Sequence, residues 1–587
     1  MAAGWIFHSG RIFDGLRLHP SATAVAVRDG LVTAVGTDAE VRAAAGLHAT
    51  AVDLNGRLLA PGFTDAHVHA VMAGLERLGC DLSQCVGADA VLAQIATSAS
   101  AASGASAAGS GWITGGGWHK ADFPGGYPTR QVLDAVVPDR PAYLVNADHH
   151  SAWVNSKALE LAGIDASTPD PADGLLEREA DGFPSGTLHE GAMDLVNRAI
   201  PRASVEDMRA GLLEAQRYLH SVGVTGWQEA ILGDYAGYPE ASAAYRRLLD
   251  QGLLTGRAAG ALWVPRSTTV ESVLDLVAEF ITRREQNAAA GFRTTSAKIM
   301  VDGVPENRTA AMLEPYLTSC ACEGMAGHDG GASAGADRPL GGGPGDGDRH
   351  GSPAGRGLTY LSKEVLRAVT AALDAAGFDL HLHVIGDRAV RDGLDAVAHA
   401  RRANGRGAGR HHMAHLQIIH PADVPRFGEL DVTANLQALW ACNDAQMREL
   451  TVPLIGAERA GWQYPFRSLA ASGARLAMGS DWPVSSPDPW QAIHVAVNRS
   501  HPDDGSDSPL LPDEALTLEA ALAAYTSGSA WLNRHDGGGR IGPGAPADLV
   551  VLDINPFSLP AAELHTVGTD LTFVAGEPVF ERQAVRA

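Results

Sequence analysis

The central part of the sequence repeats one pattern, in which short apolar runs rich in β-branched residues alternate with amphipathic helical runs. The apolar runs number eight, from "RLLAPGFTDAHVH" at residues 57–69 to "ARLAMGSDWPV" at residues 474–484. Strands that alternate with helices pair in parallel, and eight such units form a TIM-type (β/α)8 barrel. The pattern therefore predicts an α/β fold whose functional side chains lie at the carboxyl ends of the strands.

Both ends of the chain have a different pattern, short strands separated by turns, as in "TAVAVRDGLVTAVG" and "ADLVVLDINP". We expect residues 1–60 and 540–587 to form one composite β-sandwich domain beside a barrel domain of residues 61–539. About residues 75–205 separate the first two barrel strands and are too many for a loop, so they predict an inserted subdomain. Residues 323–357 are glycine-rich and of low complexity, which predicts a flexible surface insertion.

The composition of the chain excludes some classes of binding partner. The 587 residues include 45 Lys and Arg against 68 Asp and Glu, a net charge of −23, which argues against nucleic-acid or anionic-membrane binding. No apolar run reaches the length of a membrane span, and the start "MAAGWIFHSGRIFDG" lacks the features of a secretory signal. Five cysteines without a disulfide spacing fit a reducing compartment. We expect a cytoplasmic protein with a small-molecule substrate, and a homodimer as its candidate assembly.

The first barrel strand ends in "PGFTDAHVHA" at residues 61–70, which places His67 and His69 two positions apart. Side chains two positions apart in a strand point to the same face, so both imidazoles project in one direction. Two parallel imidazoles are suited to holding a metal ion and poorly suited to filling a core.

Other predicted strands also carry metal-ligating or proton-transferring side chains near their carboxyl ends. The candidates are His67, His69, Lys298, His381, His383, His412, His415 and Asp481. Each alone is explained by a packed histidine, a buried lysine paired with Asp302, or an aspartate that caps a loop. Together they lie at one end of a barrel, although they come from distant parts of the chain. A core does not need this convergence, whereas a metal site does.

Five segments resemble, in order and spacing, the metal-dependent amidohydrolase superfamily. They are "PGFTDAHVH", "KIMVDGVPENRTAAMLEPY", "HVIGDRAV", "AHLQIIHPAD" and "GSDWPV". Within the superfamily the chain is most similar to the YtcJ-like branch, amidohydrolase family 3, which includes N-substituted formamide deformylases. The segments "HHSAWVNSKAL", "PSGTLHEGAMDLV" and "GAPADLVVLD" match that branch as well.

The resemblance implies a site that holds one or two divalent ions, with Zn²⁺ as the expected metal. It assigns His67 and His69 to one ion and His383 and His415 to a second, although His381 points to the same face as His383. Lys298 would be carboxylated on its amine and bridge the ions, and Asp481 would bind the first ion and move protons.

The implied activity is hydrolysis of a non-peptide amide, an N-substituted formamide or an N-acyl amine, by metal-activated hydroxide. The alternatives are a cyclic amide, an N-acyl amino acid or an ester as substrate, a metal-dependent isomerase, and a non-catalytic scaffold. We further expect four side chains near the barrel mouth to bind an apolar N-substituent, unless they are core residues. These are Trp118, His150, Trp153 and Trp440.

Overall fold

The computed structural model describes residues 4–45, 49–100, 111–171, 174–317, 355–502 and 508–583. Of the insertion predicted at residues 323–357, residues 323–354 lie outside the described residues. Within the described residues the strands are β1 (Gly4–His8), β2 (Arg11–Ile12), β3 (Ala24–Arg28), β4 (Leu31–Gly36), β5 (Ala49–Asp53), β6 (Leu58–Pro61), β7 (Phe63–Val68), β8 (Cys80–Asp81), β9 (Ile113–Trp118), β10 (Ala142–Asn146), β11 (Ser151–Val154), β12 (Gly174–Arg178), β13 (Pro184–Glu190), β14 (Val224–Leu232), β15 (Arg257–Trp263), β16 (Arg293–Met300), β17 (Asp379–Val384), β18 (His412–His415), β19 (Thr433–Leu436), β20 (Leu476–Met478), β21 (Leu549–Leu552), β22 (Thr569–Val574) and β23 (Glu577–Glu581).

The α-helices of the same residues lie mostly between these strands. They are α1 (Asp38–Ala45), α2 (Ala70–Leu78), α3 (Ala88–Ser100), α4 (Arg130–Val136), α5 (Ser156–Ala162), α6 (Met193–Asn197), α7 (Val205–Ser221), α8 (Ser242–Asp250), α9 (Val273–Ala289), α10 (Lys363–Ala375), α11 (Asp387–Asn404), α12 (Val424–Leu430), α13 (Val452–Ala460), α14 (Phe466–Ala471), α15 (Pro489–Asn498), α16 (Leu518–Ala523) and α17 (Ser529–Leu532). Across the described residues, no helix combines the length and the apolar character that a bilayer-spanning segment needs.

Eight parallel strands form a nearly closed barrel, so the predicted TIM-type fold is confirmed. The strands pair in the order β7, β14, β15, β16, β17, β18, β19 and β20. Just beyond the ends of β7 and β20, backbone hydrogen bonds join the two segments. Asp481 N donates to His67 O at 2.7 Å, and His69 N donates to Trp482 O at 2.8 Å. The first and last strands therefore meet where the predicted ligands lie.

Helix α7 illustrates how the sequence specifies the outer layer of the barrel. Ser204 caps the helix by accepting a hydrogen bond from Asp207 N, while the Asp207 carboxylate accepts one from Ser204 N. The apolar positions that follow at helical spacing are all buried against the barrel, namely Met208, Leu212, Ala215 and Leu219. Ser204 and Asp207 three positions apart, followed by apolar residues at helical spacing, are the sequence pattern that predicts this cap and this buried face.

Two further sheets bring the ends of the chain together. A four-stranded sheet has the order β4-β3-β1-β5, and a five-stranded sheet has the order β2-β6-β21-β22-β23. The sheets share a hydrophobic core that includes Phe7, Val25, Leu59, Val551 and Phe573. Strand β6 pairs antiparallel with β21, so a strand from near the C-terminus fixes the segment that leads directly into β7.

A six-stranded sheet is inserted after β7 and α2, with the strand order β12-β13-β11-β10-β9-β8. It has two hydrophobic clusters of its own, one around Leu188 and one around Trp153. Residues at the ends of its strands line the same cavity as the barrel ligands. The inserted sheet therefore covers the carboxyl end of the barrel.

Candidate metal centre

His67, His69 and Asp481 converge where β7 and β20 end. The Nε2 atoms of His67 and His69 lie 3.2 and 3.1 Å from Asp481 Oδ1. A zinc ligand lies about 2.1 Å from the ion, so two ligands of one ion lie about 3.0–3.4 Å apart. Donor atoms of these three residues all lie within 4.8 Å of one another, a grouping that suits a metal ion. The residues present therefore fit the implied cofactor.

The carboxylate of Asp481 faces the imidazoles and does not cap the following loop. Burial raises the pKa of Asp481, but His67 and His69 outweigh this effect and hold the pKa well below its ordinary value. Asp488 is the residue that caps α15, since its carboxylate accepts a hydrogen bond from Trp490 N at 2.9 Å. The contacts of Asp481 are therefore those of a candidate metal ligand and not those of an aspartate that caps a loop.

His383 and His415 end the neighbouring strands β17 and β18, with ring centroids 4.2 Å apart. His383 Nε2 and both ring nitrogens of His415 are buried and have no hydrogen-bond partner among the described residues. Burial holds the pKa of both histidines well below the ordinary value, so both are neutral. Unpaired buried nitrogens are costly, and a metal ion would satisfy them.

Lys298 reaches the same group from β16. Its Nζ lies 3.3 Å from His67 Nε2, and its side chain is fully buried. Burial lowers the pKa of Lys298 to about 7, so much of the amine is neutral at neutral pH. The structure thus brings the lysine beside a candidate ligand.

Asp302 does not form an ion pair with Lys298, although a purely structural role for the lysine would require one. Its carboxylate accepts backbone hydrogen bonds of 2.8–3.0 Å from residues 311, 385 and 386. No ion pair between Lys298 and Asp302 occurs among the described side chains. Asp302 instead connects the loop after β16 to the loop after β17.

His381 and His383 both point into the barrel but lie at different depths. His381 Nε2 lies 3.0 Å from His67 Nδ1, and the His381 ring packs 4.2 Å from that of His412. His383 lines the cavity that holds the other candidate ligands. The structure therefore places His381 behind His67, where it fixes the ring that Asp481 contacts, and His383 at the cavity surface.

The candidate ligands open into a cavity of about 590 Å³. Two of the four predicted substrate-binding side chains line it, His150 and Trp440. The Trp440 ring stacks on that of His415, with centroids 5.2 Å apart and an interplanar angle of 9°. Trp440 therefore supplies an apolar wall next to the ligands.

Trp118 and Trp153 do not line the described cavity, and their assignment to an aromatic wall is corrected. Both side chains are fully buried, and they pack against each other and Phe123. Their indole N–H groups donate to backbone oxygens at 2.9 Å. They form part of the core of the inserted sheet, because large aromatic side chains fill the small apolar interior there.

Sequence reasoning missed His149, which lines the cavity, and Glu190, which pairs with a cavity residue. His149 lines the cavity, and burial lowers its pKa to about 4, helped by nearby His69. Glu190 pairs with His150 at 2.9 Å. The doubled histidine in "NADHHSAW" was the available signal for the first, whereas nothing in the sequence joins Glu190 to a residue forty positions earlier.

Gly479 permits the close approach of β20 to β7. A Cβ atom at this position would lie 2.5 Å from His67 N and 3.0 Å from Asp65 Oδ1. Asp65 is buried and accepts hydrogen bonds from His67 N at 3.0 Å and from Ser480 Oγ at 2.6 Å. A side chain at position 479 would therefore displace the backbone that carries His67.

We expect Gly479→Ala to weaken metal binding about tenfold or more, because support of a ligand is typically worth 10–100-fold in affinity. Titration with a competing chelator, followed by elemental analysis, measures the change. Gly407→Ala is the matched control, since a Cβ there meets nothing within 4 Å. Wild-type metal affinity in Gly479→Ala would show that this contact does not position the site.

Comparison with known proteins identifies the family of the chain. Residues 50–580 match the family model described as an amidohydrolase family. The chain is 27% identical to the putative amidohydrolase YtcJ of Bacillus subtilis (strain 168), over 98% of this chain and 99% of that protein. It is 28% identical to the N-substituted formamide deformylase of Arthrobacter pascens, over 96% and 95% of the two chains.

Among solved structures, the fold resembles that of an uncharacterized metal-dependent hydrolase from Pyrococcus furiosus. The TM-score is 0.66 at 24% identity, and the match covers 95% of this chain and all of the other. At this identity the likeness shows the fold alone.

Proposed function

Because the chain belongs to an amidohydrolase family, we propose that it is a metal-dependent hydrolase of a non-peptide amide. The observation that carries the proposal is the convergence of His67, His69 and Asp481 within 4.8 Å at the carboxyl end of the barrel. An N-substituted formamide or an N-acyl amine is the proposed substrate. The similarity to a formamide deformylase supports this choice, as does the wall formed by Trp440.

The proposed metal site uses residues from five strand ends. His67, His69 and Asp481 would hold one ion, His383 and His415 a second, and carboxylated Lys298 would bridge them. Imidazole and carboxylate ligands suit Zn²⁺. A divalent ion held there would polarise the amide carbonyl and lower the pKa of water.

The chain's own residues then perform the remaining tasks. The Asp481 carboxylate is ionised at neutral pH, since its pKa is held well below the ordinary value, and it faces the candidate ligands, so it is the group assigned to take the proton of the attacking water. The same oxygen passes that proton to the leaving nitrogen as the C–N bond breaks. Trp440 orients the apolar N-substituent, and the inserted sheet shields the cavity from bulk water.

Metal analysis and a substrate screen test the proposal. Protein from zinc-supplemented growth should carry about one or two ions per chain, and His67→Ala/His69→Ala should lose them. His565→Ala is the control, since His565 contacts His494 away from the cavity. In the screen, N-benzylformamide or N-benzylacetamide should give a higher kcat/KM than a hydantoin, an N-acetyl amino acid or phenyl acetate. Less than about 0.2 ion per chain, or a preference for the last three, would contradict the proposal.

A further inference from the structure

Four charged side chains of the inserted sheet form a row of alternating sign beside the cavity. Lys120 Nζ lies 3.1 Å from Asp148 Oδ2, and His150 Nδ1 lies 2.9 Å from Glu190 Oε1. Asp148 Oδ1 joins the two pairs, since it accepts a hydrogen bond from His150 N at 2.8 Å. Here we call these four residues the charged row.

The charged row is tied to the barrel through the loop that follows β16. Asn307 Nδ2 donates to Glu190 Oε1 at 3.3 Å, and Lys120 Nζ donates to Asn307 Oδ1 at 3.2 Å. Thr309 Oγ1 also reaches Glu190 Oε1, at 3.5 Å. The position of Glu190 is therefore fixed from both the inserted sheet and the barrel.

The burial of these charges requires an explanation beyond stability. The side chains of His150 and Glu190 are 12% and 10% exposed. Removing two charges from water is costly, so a buried ion pair often stabilises a fold no better than an apolar pair would. Apolar side chains could attach the inserted sheet to the barrel equally well. Charged side chains beside the cavity are instead suited to a role in the reaction.

The contacts of His150 leave one ring nitrogen for the cavity. Glu190 accepts from Nδ1, and no partner of Nε2 occurs among the described residues, while the ring lines the cavity. Burial lowers the pKa of His150, but Glu190 and Asp148 outweigh burial and the charge of Lys120, so the pKa lies above its ordinary value. His383 and the other candidate ligands line the same cavity as His150.

We propose that His150, held by Glu190, donates a hydrogen bond from Nε2 to the substrate oxygen that becomes negative when the amide is attacked. This inference rests on the proposed function, because that oxygen is the carbonyl oxygen of the amide. His150 keeps its proton throughout: the carbonyl gains a negative charge as the water oxygen adds, and it loses that charge when the C–N bond breaks. Glu190 is a positioning residue, which orients the ring and favours its charged form.

Steady-state kinetics test the role of His150. His150→Gln should lower kcat about 10²-fold with little change in KM, because removal of one such donor costs 10²–10³-fold. Glu190→Gln should lower kcat about tenfold, since the hydrogen bond remains but the charge is lost. Both variants should keep their metal. Unchanged kcat per folded molecule with a lower melting temperature would show that the charged row only stabilises the fold.

The chain offers a matched control one residue before Glu190. His189 Nε2 lies 3.3 Å from Glu177 Oε1, and His189 does not line the described cavity. His189→Gln removes a histidine–carboxylate pair from the same sheet, so it should affect the melting temperature but not kcat. A fall in kcat as large as that of His150→Gln would overturn the inference.

A binding experiment separates this inference from the choice of substrate. N-benzyl methylphosphonamidate carries a tetrahedral anionic group in place of the attacked amide. Calorimetry should show that His150→Gln binds it at least about tenfold more weakly than the wild type, with His189→Gln unchanged. If no amide is hydrolysed but this difference remains, the proposed substrate is wrong, and what stands is that His150 binds the anionic oxygen of a tetrahedral group in the cavity. Equal dissociation constants, or no binding to the wild type, would overturn the inference.

Discussion

Replacing Asp481 by asparagine is expected to lower kcat by about 10²-fold or more, while much of the bound metal is retained. General acid–base catalysis is typically worth 10²–10⁴-fold, and an amide side chain accepts no proton at neutral pH. His67, His69, His383, His415 and Lys298 would still hold the metal. Measurement of kcat, metal content and melting temperature on Asp481→Asn checks this expectation.

Ser204→Ala provides the control for Asp481, because it removes a helix cap away from the site. Ser204 caps α7 and does not line the described cavity, so its loss should cost about 1 kcal/mol of stability and leave kcat per folded molecule near that of the wild type. Near-normal kcat in Asp481→Asn with its metal retained would remove this carboxylate from the mechanism.

Lys298→Ala is expected to lower kcat by about 10³-fold or more, equivalent to about 4 kcal/mol of transition-state stabilisation. A neutral amine adds to CO₂ and releases a proton to give a carbamate, whose two oxygens would bridge two ions. Burial lowers the pKa of Lys298 to about 7, which makes neutral amine available. Acetate or propionate should partly restore activity, because a free carboxylate would occupy the space that the alanine leaves.

His67→Ala is the control for this rescue, since a carboxylate does not occupy the place of an imidazole ligand and no recovery is expected. The measurement is kcat against carboxylate concentration for both variants. Lys298→Ala with lost stability and no rescue would indicate a structural lysine, although the structure shows no ion pair with Asp302 among the described residues.

The barrel and the positions of most candidate ligands could be predicted because they follow from local periodicity. Eight apolar runs alternate with helical ones, and side chains at the carboxyl ends of parallel strands meet at one end of a barrel. His67 and His69 were therefore predicted to lie near Asp481, four hundred residues away, and the structure brings their side chains within 3.2 Å of its carboxylate.

Other features depend on tertiary structure that periodicity does not encode. His381 and His383 lie two positions apart, so strand alternation places both side chains on the same face of β17. Only their depth in the barrel distinguishes them, since His381 lies behind His67 and His383 lines the cavity. The sequence leaves Trp118 and Trp153 open between cavity and core, because a buried and a cavity-lining tryptophan look alike there, and the structure places both in the core. The pairing of His150 with Glu190 depends on the strand order of the inserted sheet.

The pairing of β6 with β21 has a consequence for the order in which the protein matures during synthesis. Pro61 lies opposite Leu549 in this pair, and one residue, Gly62, separates β6 from β7, which carries His67. A nascent chain exposes the early strand long before its partner leaves the ribosome. The first candidate ligands to be translated are thus among the last to be fixed in place, since the segment that leads into β7 finds its partner strand only when the chain is nearly finished.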